Sequence, residues 1–461
     1  MASKAAPTGW VVDRQNALLV MVMVAVSYTV SILPPGLIFD PAAREAAEGQ
    51  DSPLFKMIWI PLILMTFAVL VSRFRMVSSM LPDLNGPLFV LLAWCLLSMV
   101  WAPDAAFAFK QAFSIIGATL LPLAFVVTGW YRQRMEVVLR QVSTILLVLS
   151  LLVAVAVPRI GVHDSTQFEL QGSWLGITYQ KNGLGQLAAS SLILWCHAWL
   201  ARSVSPRLAL AGALLSVFLL LKSRSSTSLL LSIIACAVMT MQLRPILTIG
   251  KYRGIVAVSA ALLVIVPTVV YFVLIGAVDS VAMAEAFGRI FGKDATFSGR
   301  TYIWAEMMHT IGQHPWLGFG FNSFWHTPAA GEIQRRLGWP VPSGHNGYLD
   351  IINTLGLIGF SLFLAFVVRH IQSLRKLMQF DRQQGALHTG LFLFVMLANL
   401  TESAWFLPIA PTHLLAMYSV MAVARLHYQH RLSTACAGAR TSTDRKTMKA
   451  VADLAEPQAG R

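Results

Sequence analysis

The sequence predicts an all-α, polytopic transmembrane helical bundle of about twelve spans with one large loop on its outer side. Two observations predict this fold class. First, 56% of the 461 residues are hydrophobic and only 12% are charged, about half the charged fraction of a soluble globular domain. Second, long apolar runs lack the alternation that barrel strands show over about ten residues. The composition excludes an ordinary soluble enzyme and a disordered chain.

Twelve apolar segments have roughly the 20 residues that a hydrocarbon core of ~30 Å requires. The seventh is short and the last two are nearly continuous, so ten or eleven spans remain open alternatives. The first is too long for the apolar region of a cleavable signal peptide, and we expect it to be the first span. The predicted spans are 17–38, 54–72, 86–102, 110–130, 136–158, 184–201, 206–221, 226–243, 254–276, 348–368, 385–404 and 406–424.

The distribution of charge orients the bundle. With an even number of spans, both termini share one side with the loops near 73–85, 131–140, 202–207, 244–253 and 369–384. That side holds 23 Lys and Arg against 7 Asp and Glu, whereas the other side holds 12 against 14. The positive-inside rule therefore predicts that both termini are cytoplasmic. The net charge of +14 is explained by this bias and does not require a nucleic-acid partner.

The domain organisation is simple. Residues 1–430 form one transmembrane domain, and a basic cytoplasmic tail, 431–461, is predicted to be disordered because it has no apolar period. The largest outer loop covers 277–347. Within it, the apolar face from Ile303 to Ile311 has helical spacing, which fits either a helix lying flat on the membrane or one packed over the bundle.

Three of the twelve cations on the outer side lie in short polar motifs. They are Lys181 in QKNGLGQ, Arg224 in KSRSSTS and Arg300 in SGRTYIW. Cations near a membrane usually face a cavity or an anionic partner because desolvation is costly, although snorkelling to lipid phosphate is the alternative. Three together predict an anion site. His345, in the turn SGHNG, is a candidate general base, with a purely structural histidine as the alternative.

Several catalytic signatures are missing from the sequence. It has no DxD, no cluster of outer carboxylates and no HExxH, so a metal-dependent glycosyl transfer or a zinc site lacks ligands. The four cysteines show no spacing typical of a disulfide framework or a metal site. No P-loop and no GxSxG occur. We therefore expect chemistry without a metal or another cofactor.

One set of motifs points to a known family. QKNGLGQLA, SRSSTSLL, SGRTYIW, HPWLGFGFNSFW and HNGYLDIINTLGLIG occur in this order, followed by ANLTES, which ends at Glu402 and Ser403. Over about 178–403 the chain resembles the O-antigen ligase and polymerase superfamily, especially its exopolysaccharide-polymerase (ExoQ-type) branch. The resemblance implies a multi-pass glycosyltransferase of the bacterial inner membrane, whose large loop is periplasmic. Such enzymes act at the periplasmic face on glycans carried by undecaprenyl diphosphate.

The resemblance also implies roles for particular residues. The loop arginines and histidine of the family map onto Arg224, Arg300 and His345, and Lys181 has a counterpart in the KN motif of the ExoQ-type branch. Arg300 and His345 would then be catalytic, and Arg224 and Lys181 would bind the substrate. The implied partners are an undecaprenyl-diphosphate-linked oligosaccharide, a glycan acceptor, membrane lipids, a flippase and chain-length or export proteins, with no nucleic acid.

Three functions fit these expectations to different degrees. Polymerisation of exopolysaccharide or O-antigen repeat units is favoured by the KN and SRSSTS segments. An O-antigen ligase that transfers glycan to lipid A-core is the second candidate. A flippase or transporter is the third, because twelve spans suit it, but transporters usually carry charged sites near the bilayer midplane and often contain repeats. Here the notable charges lie in outer loops.

The charge asymmetry makes a direct prediction about topology. Reporter fusions at Phe297 and Arg440 should give signals from opposite sides of the membrane, periplasmic for Phe297 and cytoplasmic for Arg440. Paired phosphatase and fluorescent-protein fusions measure this in intact cells. A cytoplasmic signal at Phe297 would contradict the orientation and, with it, the outer anion site.

Overall fold

The computed structural model describes residues 14–34, 39, 53–129, 134–163, 171–244, 300–337, 341, 343–407 and 410–441. These residues form helices and no named strand, and one isolated bridge joins Val162 to Trp174. The helices are α1 (Arg14–Ile32), α2 (Pro53–Ser72), α3 (Phe74–Met80), α4 (Gly86–Leu97), α5 (Ala105–Gly129), α6 (Arg134–Ala156), α7 (Pro158–Gly161), α8 (Lys181–Leu200), α9 (Pro206–Lys222), α10 (Ser226–Leu243), α11 (Arg300–Gln313), α12 (Pro328–Leu337), α13 (Gly347–Phe380), α14 (Arg382–Ala398) and α15 (Pro411–Thr441).

Each predicted span except the ninth overlaps one of these helices, and the ninth, 254–276, lies outside the described residues. The all-helical class is confirmed for the described part of the chain. By length and apolarity, four described helices could each cross a membrane, and the pair α2 and α3, bent by 80°, would make a fifth if it is one span. Twelve spans and a periplasmic loop stay predictions.

Side-chain contacts show which helix ends lie together at each end of the bundle. At one end, the starts of α8 and α11 meet the connection between α14 and α15. At the other end, Gln384 donates to Glu136 at 3.0 Å, and Arg431 pairs with Asp83 at 2.7 Å. The segments predicted as outer loops therefore meet at one end of the bundle, which we call the site end.

The HPWLGFG motif has a packing function. Helix α13 breaks at Gly356, whose φ of 68° is non-helical, and the backbone after Pro315 occupies the break. Leu357 N donates to Pro315 O at 2.8 Å, and Phe319 N donates to Asn353 O at 2.9 Å. Any side chain at Gly356 would collide with this inserted backbone. Only glycine accommodates both the positive φ and the close approach of the inserted backbone, because it lacks a Cβ.

Helix α11 is a packing helix. Its apolar residues Ile303, Met307 and Ile311 are buried in the protein core, and Trp304 Nε1 donates to Gly344 O at 2.8 Å. Of the two alternatives that the sequence left open, the structure selects packing over the bundle. This contact ties α11 to the turn that carries His345.

Two predicted boundaries differ from the structure. The span predicted as 385–404 ends at Ala398, because the side chain of Asn399 binds the backbone beyond it and a non-helical connection follows. The tail predicted as disordered from residue 431 is helical as far as Thr441. Arg431 anchors the start of this continuation, since its Nη2 also donates to Ser79 O at 2.7 Å. Residues 442–461 lie outside the described part.

Asn399 organises the connection that leads to the site. It is fully buried, and its Oδ1 accepts hydrogen bonds from Ala404 N at 2.9 Å and Trp405 N at 2.8 Å. Its backbone oxygen accepts from Gly347 N at 2.9 Å. One amide side chain thus folds the connection back onto the start of α13.

We expect Asn399→Ala to destabilise the protein because it leaves two buried backbone N–H groups unpaired. The cost should be roughly 1–3 kcal/mol for each unpaired group. Unfolding of the purified protein in mixed detergent micelles measures this change, and Gln313→Ala, which removes an exposed amide, is the control. Equal stability of the two variants would contradict this account of Asn399.

Candidate functional site

The carboxylate of Glu402 joins three segments at the site end. Arg300 Nη2 lies 2.8 Å from Glu402 Oε1, and Asn182 Nδ2 donates to the same oxygen at 2.8 Å. His345 Nδ1 lies 3.5 Å from Glu402 Oε2. The side chains of Arg300, His345 and Glu402 are 18–22% exposed. A cation, an amide and an imidazole therefore share one largely buried carboxylate.

Local backbone structure places each partner of Glu402. Arg300 is the first residue of α11 and Asn182 the second of α8, so both project from helix starts at the site end. His345 adopts a left-handed backbone with φ of 48°, which costs roughly 1–2 kcal/mol in a residue other than glycine. The next residue holds this turn in place, since Asn346 N donates to Ser403 Oγ at 3.0 Å.

A second carboxylate fixes the His345 turn from the other side. Asp350 Oδ2 accepts from Gly344 N at 3.1 Å and from the hydroxyl of Ser403, while its Oδ1 accepts from Trp325 Nε1 at 3.2 Å. Asp350 therefore clamps the residue before His345 to the residue after Glu402. The spacing of the imidazole and the Glu402 carboxylate depends on this clamp.

The electrostatics of the site favour an ionised Glu402. Burial raises the pKa of the Glu402 carboxyl, but the contacts with His345 and Arg300 outweigh this effect, so the pKa lies below its usual range. His345 Nδ1 is buried and has no hydrogen-bond partner, because 3.5 Å is longer than the usual 2.7–3.2 Å. A small movement of the ring would close this contact.

The two other predicted residues lie near the same end. Lys181 begins α8 and directly precedes Asn182. Arg224, in the connection between α9 and α10, is exposed, has a φ of 51° and donates through Nη1 to Gln171 O at 2.9 Å. Its connection packs closely on the first turns of α8, where Gly185 leaves no room for a side chain beside Ser225. No described hydrogen bond or ion pair joins Arg224 to Glu402.

The structure thus brings Arg300 and His345 together through a residue that received no role in the sequence analysis. Glu402 and Asn182 both lie in motifs that resemble the family, yet only the cations and the histidine were singled out. The available signal was a carboxylate at the outer end of a predicted apolar span, on the same side of the membrane as the three cations. Asp350 gave no comparable signal, because it reads as an ordinary residue of a helix start.

Two further features bear on what the site could bind. A cleft of about 220 Å³ opens beside Glu402, between the end of α1 and the starts of α8 and α15. Among the residues that the structure describes, no group of three or more His, Cys, Asp and Glu side chains is placed to hold a metal ion. Metal independence remains a prediction.

The lowered pKa of Glu402 predicts how stability depends on pH. Because the folded pKa is below the unfolded value of about 4.3, the stabilisation from the carboxylate is present above that pH and is lost as pH falls through the folded pKa. The melting temperature of Glu402→Gln should therefore lie below wild type at pH 7, and the gap should narrow below about pH 4.

The control for this measurement is Glu306→Gln. Glu306 pairs with Arg336 on the exposed surface, where an ion pair contributes about 0–1 kcal/mol. The melting temperature of Glu306→Gln at pH 7 should therefore lie much closer to wild type than that of Glu402→Gln. A gap for Glu402→Gln that stays constant down to low pH would contradict the role assigned to the carboxylate charge.

Comparison with known proteins bears on the family that the chain resembles. Residues 209–364 match the family model described as O-antigen ligase. The chain is also 28% identical over 247 residues to the exopolysaccharide production protein ExoQ of Rhizobium meliloti (strain 1021), an alignment that covers 48% of this chain and 52% of that protein. The chain thus spans about half the length of this curated relative. The predicted resemblance to the O-antigen ligase family, and to an ExoQ-type exopolysaccharide protein, is confirmed.

Proposed function

We propose that this chain is a membrane glycosyltransferase that polymerises the repeat units of an exopolysaccharide or O-antigen, using glycans linked to undecaprenyl diphosphate. The observation that carries the proposal is the Arg300–Glu402–His345 cluster at the site end. It combines a cation suited to phosphate with an imidazole held beside a carboxylate. The proposed site is periplasmic, in the inner membrane, with both termini cytoplasmic.

The cations would bind the donor. A guanidinium has five N–H donors, and the contact of Arg300 with Glu402 uses one of them, so others can face a diphosphate. Arg224 is exposed and could meet the lipid-linked anion as it arrives, while Lys181 adds a point charge. As the bond from the anomeric carbon to the diphosphate breaks, its electron pair moves to the leaving group. Fixed cations stabilise that growing charge.

His345 would activate the acceptor. With Nδ1 turned towards Glu402, the Nε2 atom is the nitrogen that can accept a proton from an acceptor hydroxyl. The hydroxyl oxygen then attacks the anomeric carbon, and its proton passes to the imidazole. The Glu402 carboxylate would hold the productive tautomer and stabilise the imidazolium that forms. Asn182 keeps that carboxylate in position.

The comparisons support both the polymerase proposal and the ligase alternative. The matched family model is described as O-antigen ligase, which favours transfer to lipid A-core, whereas the relative is described as an exopolysaccharide production protein, which favours a secreted polymer. A flippase is less well supported, because the cluster lies at the ends of helices and not at the bundle centre, where transporters place their sites.

The decisive experiment gives the purified protein a defined lipid-linked repeat unit in buffer containing EDTA and resolves the products by size. A ladder of products is expected for a polymerase. Turnover that requires a lipid A-core acceptor would instead indicate a ligase, and loss of activity restored by magnesium or manganese would contradict metal independence. No product under any of these conditions would leave transport as the better explanation.

The same assay tests the residues. Arg300→Lys should lower turnover by about tenfold or more, because it keeps the charge but loses the planar fork. His345→Ala should lower turnover by about 10²–10⁴ without lowering yield. The matched controls are Arg336→Lys and His309→Ala, exposed residues of the same outer segment. Normal turnover by a stable His345→Ala protein would exclude its role as the base.

A further inference from the structure

The cleft beside Glu402 differs from the Arg300–Glu402–His345 cluster in the side chains that line it. It is lined by the end of α1, the first turns of α8, the α14–α15 connection and the start of α15. We infer that this cleft is the subsite for the acceptor sugar, where the glycan that supplies the attacking hydroxyl is held. The inference rests on the proposed function and adds the surface that selects the acceptor.

The lining of the cleft suits an uncharged, hydroxyl-rich ligand. Its polar wall consists mainly of amides and hydroxyls, groups that both donate and accept hydrogen bonds as sugar hydroxyls do. Of the described residues that line it, Glu402 is the charged one, and no Lys or Arg is among them. A diphosphate in the cleft would meet the Glu402 carboxylate, whereas the cation paired with that carboxylate, Arg300, does not line the cleft. The polar groups that matter most are Gln180, Asn182, Gln186, Ser403 and Thr412.

Thr412 supplies an independent indication that a ligand belongs in this cleft. The residue is 2% exposed, and its Oγ1 is buried without a hydrogen-bond partner in the structure. Buried polar groups are nearly always paired. Thr412 also lines the cleft, so a rotation of its hydroxyl towards the cleft would let a sugar hydroxyl or a water complete its hydrogen bonding. The volume of about 220 Å³ far exceeds the roughly 10–15 Å³ that one water needs.

Gln186 extends the same polar wall along α8. It follows Asn182 by four residues, so the two amides share one face of the helix, and both line the cleft. Asn182 is occupied by Glu402, whereas the longer Gln186 stands one turn further along the helix. We therefore assign Gln186 to recognition of the acceptor sugar and not to the reaction itself.

Glu402 connects this subsite to the reacting groups. Arg300 and His345 contact the carboxylate but do not line the cleft. A sugar that binds the cleft meets the Glu402 carboxylate, and His345 lies 3.5 Å from the same carboxylate, so the sugar is held near the proposed base. The cations assigned to the donor therefore remain available to its diphosphate, and the donor and the acceptor sugar bind to different side chains.

The test separates acceptor binding from donor binding. Purified protein receives a labelled lipid-linked donor and a soluble glycoside of the repeat unit without diphosphate, and each is titrated in turn. The variants are Thr412→Val, which removes the hydroxyl at nearly constant shape, and Gln186→Leu. The matched control is Thr401→Val, because Thr401 Oγ1 is also buried without a partner but does not line the cleft.

We expect each cleft variant to raise the acceptor KM by about 3–10-fold, the effect of losing one neutral hydrogen bond, with the donor KM unchanged within about twofold. Thr401→Val should leave both values near wild type. Unchanged acceptor KM in both cleft variants, or a rise in the donor KM, would overturn the inference. Melting temperatures equal to wild type show that the variants fold. If Thr412→Val does not fold, the acceptor KM of Gln186→Leu tests the inference.

A binding measurement distinguishes failure of this inference from failure of the proposed function. Saturation-transfer NMR of the soluble glycoside with wild-type protein requires no turnover. Glycoside binding that Thr412→Val and Gln186→Leu weaken supports the subsite even if no transfer is found. Transfer by wild type together with equal glycoside binding by all variants overturns the subsite and leaves the proposed function intact.

Discussion

The structure of the site end depends on one interaction, the compensation of a buried carboxylate. An ionised group removed from water is costly unless it is paired and hydrogen-bonded, and Glu402 meets this demand with a guanidinium, an amide and an adjacent imidazole. These partners come from α8, α11 and the turn before α13. Satisfying one charge therefore requires three distant segments to converge, and this convergence creates the site.

The scaffold around Glu402 is built to hold these segments rigidly. Asn399 closes the connection on which Glu402 lies by accepting from two backbone N–H groups. Asp350 ties the His345 turn to Ser403. The break at Gly356 admits the HPWLGFG backbone, which follows directly after α11. Buried hydrogen bonds thus fix the loops that carry the proposed reacting groups, as a preorganised site requires.

Backbone strain occurs at two of the residues that the family resemblance singles out. Arg224 and His345 both have φ near +50°, a conformation that costs roughly 1–3 kcal/mol outside glycine. Arg202, Asn322 and Phe406 share this feature, so strain alone does not identify a site. At Arg224 and His345, however, glycine would remove the side chain that the proposed reaction needs, which explains why a strained residue is kept.

The sequence by itself determined the helical class, the positions of most described helices and the choice of Arg300 and His345 as candidates, because apolar periodicity, charge bias and motif order are local signals. It did not determine the role of Glu402, the clamp by Asp350 or the cleft lined by Thr412. These features arise from contacts between residues far apart in the chain, such as Asn182 with Glu402. Only tertiary packing decides which side chain compensates a buried charge and which hydroxyl is left unpaired beside a cleft.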